Sequence, residues 1–333
     1  MRTATIIFAV LAAQAACAGD DVVTLTSGNR LTGEIRELSR GELEFSIDGV
    51  RGWSGIDWRN IESLESAQRF DIVLASGERT SGVITSLSKG KLEIQTDAGR
   101  QTIEQRDLIF MRAVGASFVD RIAGSIDLGL EFLTADDQFD WTLNADLTHR
   151  TRNYLTNVYL TSLVRQNSDE TTQRRNRFEL DSHRLLDRRW FVLGELIAEE
   201  DKELGLDSRF LLGAAFGRTL VQSSVTLFAL YGGFDVSREQ FAGLGTENEP
   251  EALAAIEWDW FEIGGDFELL MKATTYYGLD DSRVRFDLDG SLRHDIFGDY
   301  YLALNLFESY NSDPPAGYEK SDFGASFTFG RTF

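Results

Sequence analysis

The chain has 333 residues, and 54 acidic side chains against 33 basic ones give a net charge of -21. Phosphate backbones bind basic surfaces, so this balance excludes nucleic acid as a partner. A single cysteine supplies no disulfide framework, and a mean hydropathy of -0.22 suits any fold in which apolar and polar residues alternate.

In chain order, Arg2, the apolar run Ile6 to Ala13 and the small residues Ala16-Cys17-Ala18 read as a secretory signal over residues 1–18, cut before Gly19. Gln14 stands where a lipoprotein signal places a leucine-like residue, which argues against lipidation of Cys17. A chain beginning at Gly19 has no thiol chemistry. Beyond the signal there is no apolar run of about eighteen residues, so only a closed β-barrel could cross a bilayer.

Residues 19–66 and 67–115 are two copies of one unit. Val23 to Phe45 (VTLTSGNRLTGEIRELSRGELEF) matches Ile72 to Ile94 (IVLASGERTSGVITSLSKGKLEI), and Ile56 to Ile61 answers Ile103 to Leu108. Glycines at 28, 33 and 41, then at 77, 82 and 90, punctuate short alternating strands. The spacing predicts two small, strongly bent sheets of the SH3-like or Sm-like kind. Neither carries a basic face with stacking aromatics, so the expected partner is a periplasmic protein or the cell wall. Trp53 and Trp58 are expected in the small core, with an interface role as the alternative.

Residues 117–333 read as an outer-membrane β-barrel of about twelve antiparallel strands of about nine to eleven residues, giving an all-β chain. Ile126, Leu128 and Leu130 share one parity, as do Trp141, Leu143 and Leu147, and Leu302, Leu304 and Leu306. Segments 210–220 and 225–234 are apolar on both faces and leave the parity open. Connections alternate between longer, acidic ones (Asp136-Asp137, 167–173, 199–206, 237–250, 279–282, 311–320) and tight ones near Arg152, Asp187, Gln222, Glu262 and Gly298. That is the rhythm of extracellular loops and periplasmic turns, and it places both barrel termini and the duplicated unit in the periplasm.

The parity opposite the apolar one is charged: Arg177, Glu179 and Asp181; Asp266, Glu268 and Lys272; Arg283, Arg285, Asp287, Asp289, Arg293 and Asp295. A dry sandwich core could not accept these ions, whereas a hydrated lumen can. They are either a selectivity lining or a salt-bridge network that holds the barrel in shape. In the last strand Phe327, Phe329 and the terminal Phe333 form the expected membrane-insertion signal, presented to lipid and to the barrel-assembly machinery. Arg331 breaks their pattern and is expected to snorkel at the rim.

Arg184 to Phe191, Glu199 to Arg209 with Gly213 and Gly217, Asn311-Ser312-Asp313-Pro314-Pro315 and Glu319 to Asp322 together resemble an uncharacterised outer-membrane barrel family, often labelled salt-induced outer membrane proteins. The resemblance covers roughly Ser117 to Phe333 and is most specific at Asn311 to Pro315. It implies location and fold and supplies no activity, and the duplicated unit is an addition to the simplest members.

No HExxH, GxSxG or phosphate-binding glycine motif is present. Ser182 adjoins His183, but neighbours along a strand face opposite sides; His149 follows Thr148 near a turn, His294 falls on the apolar parity beside Asp295, and each histidine reads as a rim or network residue. No catalytic, cofactor or metal residue is therefore expected. Asp136-Asp137 and Glu199-Glu200-Asp201 could collect Ca²⁺, with solvated loops as the simpler account. The leading expectation is a narrow pore or envelope-homeostasis protein, then a non-conducting anchor presenting the duplicated unit, then an outer-membrane hydrolase.

Overall fold

The computed structural model describes residues 21–115, 117–118, 121–133, 138–167, 170–261 and 267–333. The signal segment with Cys17, Asp136-Asp137 and Asp266 lie outside the described residues. No described helix is long and apolar enough to cross a membrane, a finding that says nothing of strands.

The first copy forms β1 (Asp21–Leu25), β2 (Arg30–Ser39), β3 (Glu42–Ile47), β4 (Ser54–Asp57) and β5 (Ile61–Glu65). The second repeats it as β6 (Arg69–Leu74), β7 (Arg79–Ser88), β8 (Lys91–Thr96), β9 (Gly99–Glu104) and β10 (Leu108–Ala113). The duplication extends to irregularities. A bulge between Ile35 and Glu37 is matched by one between Ile84 and Ser86, and the hairpin turns Arg40-Gly41 and Lys89-Gly90 both have positive φ. Two consecutive positive φ values match the twist of a tight hairpin, which is why each turn ends in glycine.

The two copies nevertheless do not form the two separate SH3-like or Sm-like sheets that the repeat predicts. The last strand of each pairs with the second strand of the other, β5 with β7 and β10 with β2. Together with β1–β2, β1–β5, β6–β7 and β6–β10 these pairings close a single six-stranded ring, from which the hairpins β3–β4 and β8–β9 extend. Neither copy has a strand that could close its own sheet, so the core is shared: Val23, Ile35 and Phe45 of the first pack with Ile72, Ile84 and Ile94 of the second. At the pseudo-twofold, Trp58 Nε1 donates to the carbonyl of its repeat-equivalent Gln105 (2.9 Å), and Gln105 Nε2 donates to the carbonyl of Trp58 (2.7 Å). Trp58 is buried as expected, whereas Trp53 is exposed and lies under the Arg36 guanidinium, 5.4 Å from its ring centre.

The remaining strands are β11 (Ile122–Leu133), β12 (Gln138–Arg150), β13 (Tyr154–Asn167), β14 (Glu170–Leu185), β15 (Trp190–Asp201), β16 (Leu206–Gln222), β17 (Thr226–Phe241), β18 (Thr246–Phe261), β19 (Phe267–Gly278), β20 (Val284–Phe297), β21 (Tyr300–Asn311) and β22 (Ser321–Thr332). These twelve strands close in chain order into an antiparallel barrel, the strand count that the alternation predicts. The ring is sealed by β22 on β11, with Phe329 opposite Leu128 and Arg331 opposite Ile126. Phe323, Phe327, Phe329 and Phe333 all face outward. Arg331 reaches Asp299 at the neighbouring turn (3.3 Å) and lies over Tyr300, so its charge stays at the rim.

The strands are longer than expected, 12 to 17 residues in β11 to β22. Much of what reads as loop is strand, since Val236 pairs with Pro250 and the connection shrinks to residues 242–245. A span of about ten residues suffices for hydrocarbon. The added residues lie at the ends opposite the tight turns, where β16, β17 and β18 continue the ladder into segments that read as loop. The asymmetry between the two ends therefore persists as added strand more than as added loop.

Because the ring needs strands from both copies, residues 21–66 alone should remain unfolded while residues 21–115 fold. Amide dispersion in NMR spectra of the two fragments tests this, and a well-dispersed spectrum from 21–66 would restore two independent units.

Candidate functional site

The barrel is inside-out. Phe210, Leu212, Phe216, Phe234 and Val236 are exposed on the outer face, while charged residues of the alternate parity turn inward and are buried. Water gives an apolar outer belt no reward; acyl chains do.

Inside, one rung alternates in sign across four neighbouring strands: Arg177 on β14 is the register partner of Glu199 on β15, Glu199 of Arg209 on β16, and Arg209 of Glu239 on β17. Directly opposed, opposite charges stabilise a sheet. Arg209 bonds Glu199 (2.9 Å) and Glu239 (2.7 Å), and Arg283 just before β20 reaches Glu239 (2.7 Å). Arg285 on β20 pairs with Glu251 on β18. Further bonds cross the lumen. Arg177 lies 3.5 Å from Asp287 on β20, six strands away in a ring of twelve, which is the opposite wall. Arg175 on β14 stacks 4.0 Å from the ring centre of Phe307 on β21.

Nearer the tight turns the rung reverses its logic. Asp181 and Glu195 are register partners of like sign, and Glu179 lies beside them. Lys272, from β19 across the lumen, resolves the repulsion: its ammonium contacts Glu179 and lies 3.1 Å from both Asp181 and Glu195. Ligand atoms of these three carboxylates fall within 4.8 Å of one another, the spacing of a cation site. The lysine nitrogen takes the place that a metal ion would occupy.

Of the candidate lumen residues, the structure brings Arg177, Glu179, Asp181, Lys272, Arg283, Arg285 and Asp287 together on the inner face of the barrel. Glu268 instead pairs with Arg40 of the N-terminal barrel (3.5 Å), and Asp289 is half-buried on the inward parity of β20. Glu195, Arg209, Glu239 and Glu251 were not foreseen. They sit on β15 to β18, where Phe191, Leu193, Ile197, Leu211, Tyr231 and Leu253 also turn inward and form an apolar cluster. That cluster is why segments 210–220 and 225–234 read as apolar on both faces.

The acidic run Glu199-Glu200-Asp201 is not a calcium loop. Glu199 is a buried wall residue, Glu200 pairs with Arg174 (2.8 Å) and Lys202 (3.5 Å), and Asp201 accepts the backbone N–H groups of Glu203 and Leu204. Strand geometry also separates the supposed dyad: Ser182 bonds Thr156 on one face, while His183 is buried on the other against Phe191. His149 and His294 stack on Phe118 and Phe267.

At the tight-turn end the six-stranded barrel rests on the larger one. Arg79 donates to the carbonyl of Leu186 (2.7 Å) and pairs with Asp187 (3.0 Å), and Arg152 donates to Ser81 Oγ (3.3 Å). Phe110 lies under the Arg150 guanidinium, 4.1 Å from its ring centre, while Arg112 donates to the carbonyl of Arg150 (2.9 Å). Gly77 and Gly41 have positive φ, and a Cβ at either would meet the backbone of Arg189 (2.7 Å) or Ser224 (3.2 Å). Arg40 covers Phe261 at the end of β18. Partial burial, then the carboxylates of Glu44, Asp295, Glu268 and Asp57, push the Glu42 carboxyl up. Arg152, just after β12, and Phe261, the last residue of β18, stand on opposite sides of the ring and both meet the module, which therefore spans the mouth.

Residues 126–333 match the family described as "Protein of unknown function, DUF481", and the chain belongs to that family. None of the curated proteins matches it. Among solved structures it is similar to the NanC porin, with 11% identity and a TM-score of 0.40 over 63% of this chain and 98% of that one. It is also similar to the translocator domain of the autotransporter NalP from Neisseria meningitidis, with 12% identity and a TM-score of 0.35 over 64% and 87%. The KdgM porin in complex with disordered oligogalacturonate gives 9% identity and a TM-score of 0.33 over 63% and 98%. Values this low carry no residue, ligand or activity across.

Lys272→Met removes the cation that Glu179, Asp181 and Glu195 share and leaves Arg177 on Glu179 alone (3.0 Å). Stranding buried charge costs about 3–5 kcal/mol. The variant should lose its compact, unheated gel mobility at a lower temperature than the parent; an unchanged transition would show that the lysine is dispensable.

Proposed function

We propose that this protein is an outer-membrane barrel that does not conduct in its resting form and serves as an anchor holding the duplicated module at the periplasmic face. The carrying observation is that opposite walls meet inside the lumen, through Arg177 and Asp287 and through Lys272 with Glu179, Asp181 and Glu195. An open channel needs solvated space along its axis, and these contacts fill it with protein. The module supports the same reading, because it spans the mouth on the tight-turn side.

The pore reading draws its support from the charged inward parity, but those charges bind one another in place of a passing ion. Salt screens buried pairs much less than exposed ones. Closure by desolvated pairs therefore persists as ionic strength rises, which suits the salt-induced label of the family that the chain resembles. The reading contains no catalytic step. A periplasmic protein or wall component is the partner it implies for the module, and the outward phenylalanines of β22 are the surface it assigns to lipid and to barrel assembly.

Purified full-length protein, shown to be folded by its heat-dependent gel mobility, should give no unitary conductance in planar bilayers. Reproducible openings from such material would replace the anchor by a pore.

A further inference from the structure

A crevice of about 420 Å³ lies where the module meets the first tight turn of the barrel. Its lining includes three arginines, Arg69 and Arg79 from the module and Arg152 from the turn between β12 and β13, against one carboxylate, Asp97. In a chain of net charge -21 this is a local reversal of sign. The three guanidinium groups are organised around Ser81: Arg69 donates to its carbonyl (3.4 Å), Arg152 donates to its hydroxyl (3.3 Å), and Arg79 lies two residues earlier on the same face of β7. Ser81 in turn donates to Asp71, which fixes its rotamer.

The acids that pair with these arginines hold them weakly. Asp97 is 85% exposed beside Arg69, and Asp187 is 94% exposed beside Arg79. Ion pairs with so much solvent access are readily exchanged for a better anion. Guanidinium forks match the oxygens of phosphate, and Ser81, Thr80 and Thr96 add hydroxyls to the same lining. The height of the crevice is set by the next residue along the turn, since Asn153 lines it and Tyr154 is exposed on the outer wall. Outward tyrosines mark the headgroup level of a membrane barrel.

We propose that this crevice binds a phosphate ester, supplied by the headgroup of a phospholipid in the adjoining leaflet. Bound there, the ester touches both the module and the barrel, and so tightens the seat of one on the other. The lipid source rests on the membrane placement proposed above; the phosphate chemistry does not.

Native mass spectrometry of the detergent-purified full chain tests both parts, with phosphatidylglycerol, with diacylglycerol as the phosphate-free lipid, and with glycerol phosphate as the soluble ester. Arg69→Gln combined with Arg152→Gln removes one seating contact, that of Arg152 with Ser81, and leaves Arg79 on Leu186 and Asp187 in place. The expected result is retention of phosphatidylglycerol over diacylglycerol, with a loss of roughly tenfold or more in the double variant, and displacement from the parent protein by glycerol phosphate. Loss of glycerol phosphate binding alone, with no lipid preference, would keep the ester site and overturn its lipid source. Equal retention of every ligand by parent and variant would overturn the site. Heat-dependent mobility of both proteins is read in parallel, so that failure of the membrane reading shows separately.

Discussion

The structure depends on how the barrel neutralises the charges it has turned inward. Moving an ion out of water costs several kcal/mol even after relaxation, and pairing offsets this only when geometry is close. Here the sheet supplies the geometry. Strand register places Arg177, Glu199, Arg209 and Glu239 side by side with alternating sign, so each charge has an opposite neighbour before any side chain reaches across. The crossing contacts then join walls that are far apart in the ring, and they fix its cross-section as well as its neutrality.

The N-terminal module solves a different problem, that of closing a sheet too short to close itself. Exchange of β5 and β10 between the copies gives six strands and one core where each copy alone has five strands and an open edge. The Trp58 and Gln105 pair shows what duplication then permits. Equivalent positions meet at the pseudo-twofold, and because they have diverged, one fills the core while the other supplies the amide that binds its partner's carbonyl. The outer surface has diverged further. Arg79 docks on the barrel, whereas its repeat equivalent Arg30 forms none of these rim contacts.

Parity made most of the large barrel legible: a period of two with aromatics outward is visible in β22, β11 and β21 without any tertiary knowledge. It failed on β16 and β17 because their inner face is apolar too, and a period of two disappears when both faces are greasy. Glu199 was misread for a related reason. An acidic run suggests solvent, and only the register with Arg177 and Arg209 shows that its first member belongs to the wall. The shared ring of the module was hidden in the same way, since a repeat shows that two segments are alike and does not show which strand pairs with which.

The interior is therefore layered along the barrel axis. Farthest from the module lies the alternating rung of Arg177 to Glu239; nearer come Lys272 with its three carboxylates and the apolar cluster around Tyr231; the module itself spans the mouth beyond. In the non-conducting reading proposed above, each layer closes the passage by a different interaction, ionic, mixed and then protein against protein. A ligand or load acting on the module alone reaches only the last of them. Seating the module and closing the lumen are in that reading separate tasks: Arg79 and Arg152 act at the rim, while Arg177 and Lys272 are engaged by carboxylates inside. That separation is what the anchor proposed above requires: in that reading the module can shift or be gripped by a partner while the barrel wall keeps its shape.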